Sequence, residues 1–98
     1  MNGKNTNKDG LENYFDGEEN WKNFAKIYKK IETENTNELL TLLNHNIELA
    51  NSIEGLIGNN SVNWLYRHVP ALNNLRPIDC INDEKLLKRL KECLMRMG

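Results

Sequence analysis

From Asp83 to the C-terminus the apolar residues Leu86, Leu87, Leu90, Cys93, Leu94 and Met97 recur at intervals of three and four, so at 100° per residue they gather within about 120° of a helical wheel. A strand cannot place these residues on one side, because its side chains alternate. Asp83 stands where an N-cap is needed, and its side chain can accept a hydrogen bond from the first turn. Cys93 then reads as a small core hydrophobe rather than a nucleophile. Upstream, no stretch alternates with period two for long enough to make a strand. The spacing therefore predicts an all-α protein, a small bundle of four to five helices.

Two further helices follow from the same reasoning. Asp16 is placed to cap one that carries Trp21, Phe24, Ala25, Tyr28 and Ile31 on one side and Lys22, Lys26, Lys29 and Lys30 on the other; a solvated lysine face is the ordinary reading of such an arc. Asn35 with Glu38 resembles a capping pair at the start of a longer series, Leu39, Leu40, Leu42, Leu43, Ile47, Ala50, Ile53, Leu56 and Ile57. Asn44-His45-Asn46 is the weak point of that series, since Asn side chains compete for backbone hydrogen bonds. Gly58 is expected to end it by a left-handed residue. Residues 1–16 contain only Leu11, Tyr14 and Phe15 as packing side chains among Asn, Lys, Gly and Asp, and are expected to form a flexible tail. Residues 17–98 then make one helical domain.

The stretch WLYRHVPALNNLRP, Trp64 to Pro77, reads as a helix–loop–helix corner. Trp64 and Leu65 lie in a short helix started by Asn60 or Ser61. The residue before Pro70 is pushed out of the α region. Asn73 and Asn74 tolerate left-handed angles, and Pro77 fits a first helical position where its missing N–H costs nothing. Trp64, Leu65, Pro70, Leu72, Asn73, Asn74 and Pro77 are the structural residues of this corner.

Chemistry is sparse. Basic and acidic residues number 13 and 14, so the chain lacks the positive field that dominates nucleic-acid affinity. Cys80 and Cys93 have no CxxC spacing, the histidines His45 and His68 have no ligand-like spacing, and no phosphate loop or Ser/His/Asp arrangement occurs. No catalytic, cofactor-binding or metal residue is expected. With no signal peptide or long apolar run, the expectation is a cytoplasmic protein with free thiols.

Residues 53–98 resemble the toxin-binding domain of Xre/MbcA/ParS-type antitoxins. That family's order of Trp-Leu, a proline loop, Ala-Leu-Gly-Gly, a further proline, Leu-Asp-Leu-Leu and a helix ending in Gly is similar here to Trp64-Leu65, Pro70, Ala71-Leu72-Asn73-Asn74, Pro77, Ile78-Asp79-Cys80-Ile81 and the helix ending at Gly98. Asn73-Asn74 replaces the family's Gly-Gly. The resemblance implies a non-enzymatic antitoxin of a type II toxin–antitoxin system that neutralises a partner toxin, of the RES-type class that consumes NAD or ADP-ribosylates a target. It also implies a homodimer, with Trp21, Phe24, Tyr28 and Ile31 either at the contact or at the seam between the halves of the chain. The expected toxin-binding residues are Lys88, Lys91, Met95, Arg96, Met97 and Gly98, acting either as a tail that reaches the toxin's substrate pocket or as a flat helix face that blocks it. Two other classes stay open. A small DNA-associated regulator would use the common arc of Lys85, Arg89 and Arg96, although acidic residues outnumber basic ones between Met1 and Ile57. A stand-alone phage or host interaction inhibitor would have no neighbouring toxin gene.

Overall fold

The computed structural model describes residues 10–28 and 34–97, the side chains of residues 34–36 excepted. Within them the protein is an all-α bundle. Five α-helices appear, α1 (Glu18–Ala25), α2 (Glu34–Leu42), α3 (Ile47–Ile57), α4 (Ser61–Leu65) and α5 (Glu84–Met97), joined by short 3-10 turns. The core is built around α3 and α5, which pack on each other. Helix α1 lies against both, and α2 and α4 close the far side of α3. Trp21, Leu39, Leu43, Leu49, Ile53, Leu65, Leu72, Leu90 and Leu94 are fully buried and form one cluster. Among the described residues no helix is long and apolar enough to cross a membrane.

Each break in the helical pattern has a local cause. After α2 the Asn44 and His45 backbones turn left-handed, with φ of 57° and 60°, and the His45 N–H reaches back to the Leu40 carbonyl at 2.7 Å. This is the hydrogen bond of a Schellman ending. Asn46 then caps α3 by accepting from the Leu49 N–H at 3.1 Å, so the weak point at Asn44–Asn46 is a true break. Asn44 also donates to the Asn82 side chain at 2.9 Å, which ties this turn to the one preceding α5. At the end of α3, Gly58 has φ 82° and ψ −147°. Its φ is positive as expected, yet its ψ lies outside the left-handed helical basin, in a region open essentially to glycine. Asp83 caps α5 as anticipated, accepting from the Leu86 N–H at 3.0 Å.

Four expectations about the N-terminal half change. The body of the protein does not begin at residue 17: Leu11–Tyr14 is a 3-10 turn packed on α5, so the flexible-tail reading fails from Gly10 onward, and residues 1–9 lie outside the described residues. Asp16 caps no backbone group; its carboxylate accepts from the Asn20 side chain at 3.0 Å, and Gly17 occupies the N-cap position. Helix α1 stops at Ala25, leaving Ile27 69% exposed. Helix α2 begins at Glu34, so Asn35 falls in its first turn rather than at its cap. Lys29, Lys30 and Ile31 lie outside the described residues. Trp21 is 0% exposed inside the single chain, at the seam of α1 with α3 and α5. Its neighbour Phe24 stacks on Tyr28 edge to face at 5.3 Å, and Tyr28 lies across Gly55, where a Cβ would come within 2.9 Å of the ring's Cγ and Cε1.

The Trp64–Pro77 corner forms around Val69 and Leu75. Helix α4 ends at Leu65, sooner than the proline alone requires, because Tyr66, Arg67 and His68 are all exposed and bring nothing to bury. Val69 is extended, as a residue before proline must be. Pro70–Leu72 makes one 3-10 turn, and Asn73 and Asn74 follow at φ 58° and 66°. The Val69 N–H bonds the Leu75 carbonyl at 3.0 Å and the Asn74 N–H bonds the Val69 carbonyl at 2.9 Å, which closes the loop. His68 adds a bond from Nδ1 to the Asn74 carbonyl at 2.8 Å. Buried Pro77 starts the next 3-10 turn, Pro77–Cys80. Helix α4, which carries the buried Trp64, packs against α2, α3 and this turn.

Candidate partner-binding face

Helix α5 carries the residues expected to meet a partner, and its surroundings differ from an open amphipathic helix. Every residue from Leu86 to Met95 is buried or half-buried. The inner side is covered by α3 and α1, and the outer, cationic side is covered by the chain's own N-terminal segment, which lies over it as a strap.

The strap attaches through charge and aromatic rings. The Glu12 carboxylate meets the Arg89 guanidinium in a two-pronged pair, Oε1 to Nε at 2.6 Å and Oε2 to Nη2 at 3.1 Å, and Lys85 Nζ stands 3.7 Å from the same carboxylate. Both partners of the fork are largely buried. Planar, two-bond geometry of this kind is the strongest form of carboxylate recognition available to a side chain. The Arg89 bonds hold the Glu12 carboxyl below its usual range, against the opposing effect of burial, and Glu12 raises Arg89 in return. Farther along, the Arg96 guanidinium lies 4.9 Å from the Tyr14 ring centre. Lys91 Nζ contacts both oxygens of Glu18 at 3.1 Å and sits 5.5 Å from the Trp21 ring and 6.0 Å from that of Phe15.

The expected toxin-binding residues therefore divide. Lys91 is only 7% exposed and serves the interior, so its assignment to an open blocking face is corrected: its stem and ammonium are enclosed by Phe15, Trp21 and Glu18. Met95 is half-buried and packs against the core, so it is not a fully open part of the flat blocking face. Lys88 is half-buried. Arg96 and Met97 remain exposed, with Arg96 paired to Glu92 at 2.9 Å, and Gly98 lies outside the described residues. Together with Tyr14, 44% exposed, and Met97, 46% exposed, Arg96 forms a small apolar and cationic patch at the C-terminal end of α5. The cationic arc of Lys85, Arg89 and Arg96 is not a free surface either, since Arg89 is neutralised by Glu12.

Glu12 and Glu18 are the residues that the sequence reading missed, and Tyr14, Phe15 and Arg89 hold roles other than those expected of them. A signal was present in the acidic, aromatic run ENYFDGEE, which has no cation and faces a final helix rich in them. Burial pushes the Cys80 thiol up to about 11 and raises Cys93 as well. No group of His, Cys, Asp and Glu able to hold a metal occurs among the described residues. Comparison with protein-family models, with curated proteins and with solved structures finds no match to the chain.

Proposed function

We propose that the protein is an antitoxin of a type II toxin–antitoxin pair, which binds and neutralises a partner toxin of the RES-type, NAD-consuming or ADP-ribosylating class. The observation that carries this reading is the corner. Asn73 and Asn74 hold successive left-handed conformations at the two positions where the antitoxin family has Gly-Gly, and Pro77 opens the following turn at its first position. A backbone of that shape requires glycine or asparagine, so the substitution keeps the family's geometry at small cost.

The contact surface in this reading is the C-terminal end of α5, where Arg96, Met97 and Tyr14 are exposed together. Arginine suits an acidic rim or a phosphate-binding pocket, and a methionine and a tyrosine adapt to an apolar one. Binding there blocks substrate entry sterically, and no chemistry by this chain is needed. A homodimer is part of the same proposal, and light scattering at micromolar concentration tests it.

The test is co-expression with the product of the adjacent reading frame. The expected result is growth arrest by that product alone, rescue by this chain, and co-purification of the pair. Deleting Met97 and Gly98, or appending a short neutral extension, should weaken neutralisation and speed dissociation. An adjacent product that is harmless, or that this chain neither rescues nor binds, refutes the proposal.

A further inference from the structure

The strap is held to α5 in a way unlike the rest of the protein. In its 3-10 turn, Leu11–Tyr14, Leu11 is half-buried and Tyr14 exposed, while the Glu12 side chain is almost wholly enclosed. Its turn is closed by backbone hydrogen bonds from the Asn13 N–H to the Gly10 carbonyl at 3.2 Å and from the Phe15 N–H to the Glu12 carbonyl at 3.3 Å. What fastens it are side chains: the Glu12 fork on Arg89, Tyr14 on Arg96, Phe15 on Lys91, and Leu11 and Phe15 packed against the core. It joins α1 through Gly17, whose φ of 120° and ψ of 162° no other residue type adopts readily. The two surfaces are complementary in charge. Gly10–Glu19 carries Glu12, Asp16, Glu18 and Glu19 with no cation, while α5 carries five cations against two carboxylates.

A short segment held by a carboxylate fork, two ring-on-cation contacts and two apolar side chains is bound in the manner of a peptide ligand. We infer that the outer face of α5 is a receptor for an acidic, aromatic-bearing segment of a partner protein, and that Leu11–Phe15 occupies it as a built-in competitor. The partner segment presents a carboxylate to Arg89 and Lys85 and aromatic rings to Lys91 and Arg96, in the spacing Glu-x-Tyr-Phe that the strap displays. A tethered competitor acts at an effective concentration on the order of millimolar, so a partner gains the face only when its own segment binds better or when it engages a second surface at the same time. This inference holds whether or not the partner is a toxin, and its test uses no toxin.

The probe is a fluorescein-labelled peptide of residues 10–19, GLENYFDGEE, titrated by anisotropy with the full-length protein. Since apparent affinity falls with the fraction of receptor left open, Glu12→Gln in the protein should bind the peptide at least about ten-fold more tightly than the parent does. Adding Arg89→Gln should abolish the gain. The peptide carrying Gln in place of its Glu12 should bind at least about ten-fold more weakly to the Glu12→Gln protein. Equal affinities for parent and Glu12→Gln, or no binding by either up to millimolar peptide, overturn the inference. Should Glu12→Gln fail to fold, the parent protein still decides the matter by hydrogen exchange. Saturating peptide should speed exchange at the Phe15 amide by holding the strap off, and an unchanged rate refutes the inference. Formation of a dimer that the peptide dissolves would identify a second copy of this chain as the occupant and overturn the assignment to a different protein.

Discussion

Lys91 separates a structural lysine from a docking lysine, and its energetics can be worked from its neighbours. Its side chain is enclosed, its ammonium lies over the rings of Trp21 and Phe15, and its carboxylate partner Glu18 is itself 54% exposed. Lys91→Ala removes three methylenes, roughly 0.8 kcal/mol each when buried, or about 2.4 kcal/mol. Loss of the contacts with the two rings adds about 0.5–2 kcal/mol. The half-exposed ion pair adds about 0–1 kcal/mol, because water screens Glu18. The sum is about 3–5 kcal/mol, a large share of the stability of a small domain. Lys91→Met keeps most of the stem and places a thioether beside the same two rings, a contact that recovers about 0.3–1.5 kcal/mol. It should cost about 1 kcal/mol. Urea unfolding followed by far-ultraviolet circular dichroism measures both, and partner affinity should be unchanged by the Met variant. A Met variant as damaged as the Ala variant would mean that the charge, not the packing, is what the site requires. An Ala variant within about 0.5 kcal/mol of the parent would mean that α5 is open there, and the enclosure described above would be wrong.

Trp64→Ala should destabilise the protein by about 3–5 kcal/mol, as for other large-to-small changes in a core; a melting temperature within two degrees or so of the parent, by calorimetry, would remove Trp64 from the core. The carboxyl of Glu12 is depressed in the folded state, so its stabilisation is fully present above the ordinary carboxylate value of 4.5 and is lost as pH falls through the lower folded value. Unfolding free energy of the parent should therefore decline below that pH more steeply than that of Glu12→Gln, and identical profiles would show that the Arg89 fork contributes nothing. At the corner, Asn73→Gly should be neutral or slightly stabilising while Asn73→Val should cost about 1–2 kcal/mol, measured by urea unfolding; equal effects would contradict the left-handed assignment.

The parts of the fold that were legible in the sequence are those decided within a few residues. The break at Asn44–Asn46, the cap at Asp83, the left-handed pair Asn73–Asn74 and Pro77 at the start of a turn depend on backbone angles and neighbouring hydrogen bonds, and the side chains present at those positions admit few alternatives. Errors arose where a local preference lost to tertiary packing. Asp16 is a good cap by type, but Gly17 carries the chain from the strap into α1 at an angle that moves the start of the helix one residue onward. Tyr28 continues the apolar series in sequence, yet α1 has already ended at Ala25, its last buried residue.

The candidate site was illegible for a different reason. Periodicity identifies the inner face of α5, because apolar residues have nowhere else to go, but it leaves the outer face undetermined: a row of lysines and arginines is equally compatible with water, with a partner, or with the protein's own acidic segment. Composition argued that residues 1–16 lack enough apolar surface to order themselves. That reasoning counts only apolar area. Gly10–Phe15 adds to the packing of Leu11 and Phe15 on the core a charge-assisted fork largely shielded from water and rings that cover cations, interactions that strengthen one another as each lowers the local dielectric around the next. The same accounting explains why Arg96 and Met97 are left outside. The strap's last cation contact along α5 is made by Tyr14 on Arg96, and among the described residues Arg96 has only Glu92 of its own helix as an ion-pair partner. Any partner that uses Arg96 and Met97 arrives next to the strap, so binding at the end of α5 and release of the strap are adjacent events on one helix, and a partner acidic enough to draw Arg96 away from Glu92 and Tyr14 also competes with Glu12 for Arg89, less than two turns away.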